Sequence, residues 1–336
     1  MENGPHIVVA GAGAIGCFLG GLLASGGRQV TLLVRPRIHA EIHGHGLSLT
    51  DFGGLAVQIA AEELSVTEDP RCLSKADVVL VTVKSGDTAE MARLIDKYAP
   101  VKCPVISLQN GLGNADALLE VLSAYDVRAG MIPFNVVPMG QGGFHRATSG
   151  DIVIMAGPGE LGGLLTVPHL TTTESRDIES VQWGKFLINL NNALNALSGL
   201  TLQQQLRDRG WRSLMADQWT EALGVLRAHG IRPASTTPVS VGMIPMILKL
   251  PTPIFRRIAA SMLTIDAQAR TSMALDLMGG RKTEIDALQG EVVRLGREAG
   301  IATPICAMIA EVIAAAEMAG EGLPNLPVQA LWDELP

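Results

Sequence analysis

Residues 183–197, WGKFLINLNNALNAL, set one lysine and four asparagines into an otherwise apolar stretch. Phe186, Leu187, Leu190, Leu194 and Leu197 recur at spacings that predict a helix. Asparagine is a mediocre helix former, because its amide competes for backbone hydrogen bonds. An unpaired buried amide would cost about 1–3 kcal/mol. At about 100° per residue, Asn189 falls about 40° from Lys185 and Asn192 about −20°, so the three share a face. Asn195 lies about 80° to the other side and Asn191 points away, toward solvent. Two chemistries fit this stripe. The amides could close a network among themselves, or the stripe could face a ligand. In the second case a desolvated Lys185 has its pKa lowered toward neutrality and can donate a proton as a general acid.

A second cluster stands in SMALDLMGGRKTEID, residues 272–286. Thr283 can cap a helix with Asp286 as its capping-box acid, which puts Glu284 in the first turn, where the helix dipole favours a carboxylate. Ser272 precedes Glu284 by 12 residues, on the helix before it.

A third lies near the N-terminus. Gly11-Ala12-Gly13-Ala14-Ile15-Gly16 follows an apolar run, HIVVA, and opens a helical pattern. In that context Gly11 permits a tight turn, Gly13 lets the backbone approach a pyrophosphate, and Gly16 brings helix and strand close. The helix N-terminus then offers free N–H groups to phosphates. An NAD site ordinarily has Asp or Glu at the end of the second strand to hold the ribose 2′-OH. Here that position is Arg35, with Arg37 beside it and no acid in the strand or turn. A guanidinium suits a 2′-phosphate, which favours NADP(H). Lys84 in VTVKSG and Asn110 in SLQNGLG come just past two further strands, where open α/β sheets bind their ligands. A solvated strand-end cation or a plain turn amide is the bland alternative at each.

These groups need elements to hold them. QVTLLVR (29–35), ADVVLVTVK (76–84), CPVISLQNG (103–111) and DVRAGMIPF (126–134) read as continuous apolar strands separated by helices, the pattern of a parallel sheet covered on both faces. Residues 143–157 read as later strands closing the sheet edge. From about residue 177 helical patterns take over: 177–199, 212–230, 256–278, 283–300 and 303–320, several ending at glycine. The expected architecture is an α/β Rossmann-type nucleotide-binding domain, residues 1–172, followed by an all-helical domain, residues 173–336. A hydride acceptor would sit in the cleft between them. The Pro-rich stretch 233–255 reads as a connector or lid, and the apolar stretch 239–263 as a cleft cover or a homodimer face.

Of the 336 residues, 47% are hydrophobic, 18% charged and 4% aromatic, which allows two large cores but few stacking platforms. Net charge is −7 with scattered Lys and Arg, which argues against a nucleic-acid partner. The start, MENGPHIVVAGAGAIG, runs straight into a strand and does not read as a leader. Cys17, Cys72, Cys103 and Cys306 form no CxxC pair and read as reduced thiols, so a cytoplasmic location is expected. The seven His show no ligand spacing, and no metal is expected. No apolar run reaches 18 residues, so no membrane span is expected either.

Taken together, Gly11–Gly16, Asn110-Gly111, Trp183-Gly184-Lys185 with Asn189, and Ser272-Met273 through Asp276, Arg281 and Thr283-Glu284-Ile285-Asp286 make the chain resemble the ketopantoate reductases (2-dehydropantoate 2-reductases) over nearly its whole length. The resemblance implies NADPH-dependent reduction of 2-dehydropantoate to pantoate, on a Rossmann domain followed by a helical domain like the C-terminal domain of 6-phosphogluconate dehydrogenase. It implies that Lys185 is the catalytic general acid and Glu284 an acid at the cleft touching cofactor or substrate. Asn189, Asn192 and Ser272 would contact substrate, and Asn110 both substrate and cofactor. Gly11, Ala12, Gly13, Ala14, Ile15, Gly16, Arg35, Lys84 and the backbone of Val136 would contact NADP(H). Two positions depart from the family's pattern. Ala193 stands where a second helix asparagine is usual, with Asn192 or Asn195 as its replacement, and Ala269 stands where some members carry Asn. Both concern substrate side groups, which keeps alive a reductase of another 2-oxo acid on the same scaffold. A catalytically silent NADPH-binding protein is the remaining alternative.

Overall fold

The computed structural model describes residues 4–235, 239–259 and 266–335. The chain divides into two compact units, Met1–Ile178 and Glu179–Pro336.

The first unit runs β1 (His6–Ala10), α1 (Ala14–Ser25), β2 (Gln29–Leu33), α2 (Pro36–His45), β3 (Leu47–Asp51), β4 (Ala56–Ile59), β5 (Ser65–Thr67), β6 (Val78–Val81), α3 (Thr88–Tyr98), β7 (Val105–Ser107), α4 (Asn114–Leu119), β8 (Val127–Met131), β9 (Val136–Gly140), β10 (Gly143–Arg146), β11 (Ile152–Met155), α5 (Leu161–Leu164) and β12 (Thr172–Ser175). The main sheet is eight-stranded, in the order β12-β11-β8-β7-β6-β1-β2-β5. The run β5-β2-β1-β6-β7-β8 is parallel throughout, and the strand order reverses between β1 and β6. That reversal is the switch point at which doubly wound sheets bind ligands, beyond the carboxyl ends of their strands. Val and Ile fill β1, β6 and β7 because both faces are covered: Ile7 and Val9 pack on the α1 side, Val8 and Ala10 on the α3 side.

One sequence expectation about the sheets changes here. Residues 143–157 do not all close the main sheet. β10 belongs to a separate four-stranded sheet, β4-β3-β10-β9, while β11 joins the main sheet antiparallel to β8. Alternation such as Leu47 and Leu49 buried beside half-buried Ser48 marks a strand with one core face, and β3, β4 and β9, at four or five residues each, are too short to show a period in sequence. β12 also lies in the main sheet; its sequence, TTES, is polar and carries no strand signal.

The second unit follows as α6 (Ile178–Asn189), α7 (Asn191–Ser198), α8 (Leu202–Arg207), α9 (Arg209–Ala228), α10 (Ile244–Leu248), α11 (Thr252–Ile258), α12 (Ser272–Met278), α13 (Glu291–Ala299), α14 (Pro304–Ala319) and α15 (Val328–Asp333). Gly199, Gly300 and Gly320 end α7, α13 and α14 in the left-handed conformation, as glycine C-caps do. Residues 183–197 are not one uninterrupted helix, because the helix breaks at Leu190. Nor is 256–278 one helix. Residues 260–265 lie outside the described residues, and 266–271 form a turn in which Asp266 accepts the Gln268 N–H at 2.7 Å and Thr271 caps α12. Segment 239–259 is anchored to α9. The buried Arg212 guanidinium donates to the carbonyls of Leu248 and Leu250 and stacks 4.1 Å from the Phe255 ring. Residues 236–238 and 260–263 of the two stretches read as connector and cover lie outside the described residues.

Candidate active site

In the first unit the carboxyl ends of the central strands are tied together by hydrogen bonds. The N–H groups of Gly11 and Ala12 both donate to the Leu33 carbonyl, which closes the turn after β1 onto β2. Gly11 has φ +77°, and a Cβ there would stand 2.0 Å from Val83 Cγ1. A side chain is therefore excluded on both conformational and steric grounds. A Cβ at Gly16 would stand 2.4 Å from Thr82 Oγ1, so this glycine lets α1 lie against the end of β6. Gly13 differs: a Cβ there would meet no protein atom within 4 Å. Its bare backbone borders open space beside the N–H groups of Ala14, Ile15 and Gly16, which have no i−4 carbonyl to satisfy them. Such a cradle fits a pyrophosphate.

Arg35 caps α2, and Lys84 is the exposed residue before the turn Ser85–Asp87. Arg35 does not stand alone. Its Nη2 lies 2.6 Å from Asp87 Oδ2, across the gap between the ends of β2 and β6. The strand and turn around Arg35 contain no acid, yet the fold supplies one from 52 residues away. Ser85 Oγ donates to the Asn110 carbonyl at 3.3 Å, linking the ends of β6 and β7. The Asn110 turn is held from beneath by a buried chain in which Ser107 donates to Gln109, Gln109 to Thr88, and Thr88 to Asn114, whose amide donates to the Asn110 carbonyl. Gly111 and Gly113, at φ +90° and +74°, let this turn fold back, and the Asn110 side chain is left exposed. Val136 begins β9 in the second sheet and packs with Ala14 and Ile15 against the core on the α1 side.

In the second unit, Lys185 sits half-buried on α6 between the buried Trp183 and Phe186, whose rings meet edge to face at 5.0 Å. Desolvation brings its pKa down from 10.5 to about 8. Asn189 lies one turn on, also half-buried. Asn192, on α7, reaches Ser272 Oγ at 3.4 Å, and its carbonyl accepts the Thr271 hydroxyl at 3.0 Å. The fold thus brings together Asn192 and Ser272, which are 80 residues apart in sequence.

The other two asparagines do something else. Asn191 does not face solvent; it is 6% exposed and exchanges two hydrogen bonds with Gln205 of α8, at 3.2 and 3.0 Å. Asn195 is fully buried, donates to the Leu200 carbonyl and to Gln205, and accepts the Thr271 N–H at 3.1 Å. These two amides knit α7, α8 and the start of α12 together. Ala193 is fully buried and Ala269 is 5% exposed, so both departures from the family pattern are packed into the core.

Thr283 does not close a capping box with Asp286. Its hydroxyl accepts the Ile285 N–H, and its own N–H is taken by Glu317 of α14 at 2.7 Å. Glu284 is exposed on a bend ahead of a π-turn, Asp286–Gly290, rather than within a helical first turn. Arg281 pairs with Asp276 at 2.8 Å just upstream. Gln289, inside the π-turn and fully buried, donates to the Leu190 carbonyl at 2.7 Å and so ties the π-turn to the junction of α6 and α7. Nothing in the sequence marked Gln205, Gln289 or Thr271; Asp87 could have been noticed as an acid in the turn after β6.

Profiles of the ketopantoate reductase PanE/ApbA family match residues 7–159, and those of its C-terminal domain match residues 177–317. The chain belongs to the ketopantoate reductase family. A 2-dehydropantoate 2-reductase of Halobacterium salinarum is 29% identical over 324 residues, covering 94% of this chain and 100% of that protein. The crystal structure of a PanE/ApbA family ketopantoate reductase from Ralstonia eutropha superimposes with a TM-score of 0.78 at 28% identity, covering 94% and 99% of the two chains. A ternary structure of D-mandelate dehydrogenase with NADH and anilino(oxo)acetate has the same fold, with a TM-score of 0.77 at 22% identity and coverage of 94% and 99%. As a member of the ketopantoate reductase family, this chain is an oxidoreductase acting on 2-oxo acids with a nicotinamide cofactor. Among the described residues no helix is long and apolar enough to cross a membrane, and no group of three or more His, Cys, Asp or Glu could hold a metal ion. The four cysteines are unpaired, and burial pushes the thiols of Cys17 and Cys103 up to about 12, which makes them poor nucleophiles.

Proposed function

We propose that this member of the ketopantoate reductase family reduces 2-dehydropantoate to pantoate with NADPH, residues 1–172 holding the cofactor and 173–336 the substrate. The observation that carries the chemistry is the half-buried Lys185, with its pKa lowered to about 8 beside Asn189. An ammonium near its pKa at working pH is an efficient proton donor, and its charge opposes the alkoxide that develops when a carbonyl is reduced. The bound nicotinamide supplies the hydride. In this reading Lys185 hydrogen-bonds the 2-oxo oxygen and delivers its proton there. Asn189, Asn192 and Ser272 orient the oxo acid, and Glu284 holds cofactor or substrate at the site's edge. The Gly11–Gly16 turn carries the pyrophosphate, with Asn110 and the Val136 backbone nearby. The family match and the homologous 2-dehydropantoate 2-reductase support the substrate. A different 2-oxo acid is the second reading, favoured by Ala193 and Ala269.

The test is nicotinamide absorbance loss with NADPH and 2-dehydropantoate, run beside NADH and beside pyruvate-type oxo acids. Rapid turnover of 2-dehydropantoate supports the first reading; preference for another oxo acid moves the assignment to the second. Asn192→Ala is expected to raise the oxo-acid KM about tenfold while stability stays within about 0.5 kcal/mol, because its one side-chain bond is long and half-exposed. If neither KM nor stability moves, Asn192 contacts no substrate. Arg35→Asp is expected to weaken NADPH about tenfold more than NADH, since it replaces a phosphate partner with a like charge. Equal loss for both nucleotides would remove Arg35 from any 2′-phosphate site.

A further inference from the structure

Arg35 and Lys84 bring two positive charges to the carboxyl edge of the sheet, and Asp87 brings a negative one to the same place. Its position is unusual. Asp87 is the residue immediately before α3, the N-cap position, where an aspartate ordinarily accepts an N–H from the first helical turn. Here the carboxylate makes no such bond. It reaches across to the start of α2 instead and holds Arg35 at 2.6 Å. The backbone that carries it is fixed on both sides. The Asp87 N–H donates to the Lys84 carbonyl at 2.9 Å, and the next residue, Thr88, is buried and bonded to Gln109 and Asn114. The side chain therefore forgoes a local helix cap to pair with one guanidinium, on a turn that cannot drift away from it.

We propose that Asp87 is the specificity-determining residue that limits this chain's preference for a 2′-phosphorylated nucleotide. The proposal rests on the reading of Arg35 and Lys84 as the 2′-phosphate site. A 2′-phosphate must take Arg35 from Asp87, and once bound it faces the carboxylate's charge at close range. A 2′-hydroxyl needs neither: the Arg35–Asp87 pair stays intact, and the carboxylate can accept a hydrogen bond from the hydroxyl, the role an acid fills at NAD sites. The three side chains together carry one net positive charge rather than two. The site so built accepts both nucleotides and prefers the phosphorylated one less than its two cations alone would. The Arg35 side chain is 79% exposed and that of Asp87 38%, so the pair contributes little to folding and can be broken without unfolding the domain.

The experiment is calorimetric binding of adenosine 2′,5′-bisphosphate and of ADP to the full chain, as wild type, Asp87→Asn, Arg35→Ala and the double variant, at low and at physiological salt. Asp87→Asn is expected to tighten the 2′,5′-bisphosphate about three- to tenfold, as removal of one close like charge from an exposed phosphate site should. ADP should not tighten, since its 2′-hydroxyl loses a charged acceptor, and the gain for the 2′,5′-bisphosphate should shrink with added salt. The gain should also fall in the Arg35→Ala background, since Asp87 then has no guanidinium to withhold. If Asp87→Asn changes the two ligands alike, or neither, while wild type still prefers the 2′,5′-bisphosphate, Asp87 is no determinant and the phosphate site stands without it. If wild type shows no preference and Arg35→Ala changes nothing, the 2′-phosphate site itself falls, and this proposal with it.

Discussion

Lys185→Ala should lower turnover about 10³-fold, the range expected when a general acid that also stabilises an alkoxide is removed. NADPH affinity should hardly change, because the lysine lies on α6 of the helical unit and the glycine turn, Arg35 and Lys84 all lie in the other. The pH profile gives an independent check. The reduction needs the protonated lysine, and desolvation places its pKa at about 8 instead of 10.5. The rate should therefore be flat below that value and fall about tenfold per pH unit above it. Lys185→Ala should lose this limb along with its activity. A wild-type profile that stays flat well above pH 8, or a variant that keeps near-normal turnover, would take Lys185 out of the mechanism. Activity lost with NADPH binding lost as well would point to a structural defect.

Asn195→Ala should instead cost stability, about 3 kcal/mol, because it strands the Thr271 N–H and the Leu200 carbonyl in a buried site and leaves a small void. For a helical unit of this size that corresponds to a fall in thermal midpoint of about 6–12 °C. The oxo-acid KM of the remaining folded protein should be near normal. This outcome separates the two uses of asparagine in one stretch of sequence: Asn195 and Asn191 closed on Gln205, Asn192 turned toward Ser272. Unchanged stability with a raised KM would reverse the assignment and give Asn195 the place in the substrate site that the missing asparagine at Ala193 leaves open.

The two asparagine fates show what periodicity can and cannot say. Spacing located the helix and its polar residues, because a helix repeats every 3.6 residues whatever surrounds it. It misplaced Asn191 because an angle names a face, not what packs there: Gln205 of α8 lies against it. The capping box at Thr283 failed for a related reason. The local pattern was present, but Glu317, 34 residues away, reached the same N–H. The extra sheet went unread because β3, β4 and β9 have only four or five residues each, too few to show a period.

What the amino-acid sequence determined alone is whatever depends on neighbours along the chain. This covers the glycine turn with its left-handed Gly11, the apolar strands of a parallel sheet, the glycine-ended helices, and the family to which the chain belongs. Tertiary structure decided every question of pairing: Asp87 on Arg35, Gln205 between Asn191 and Asn195, Ser272 against Asn192, and Gln289 on the Leu190 carbonyl. The reason is physical. Backbone conformation and amphipathic period are local properties, whereas a buried polar group is satisfied by whichever partner the fold carries to it, and in each of these pairs that partner stands 10 or more residues away.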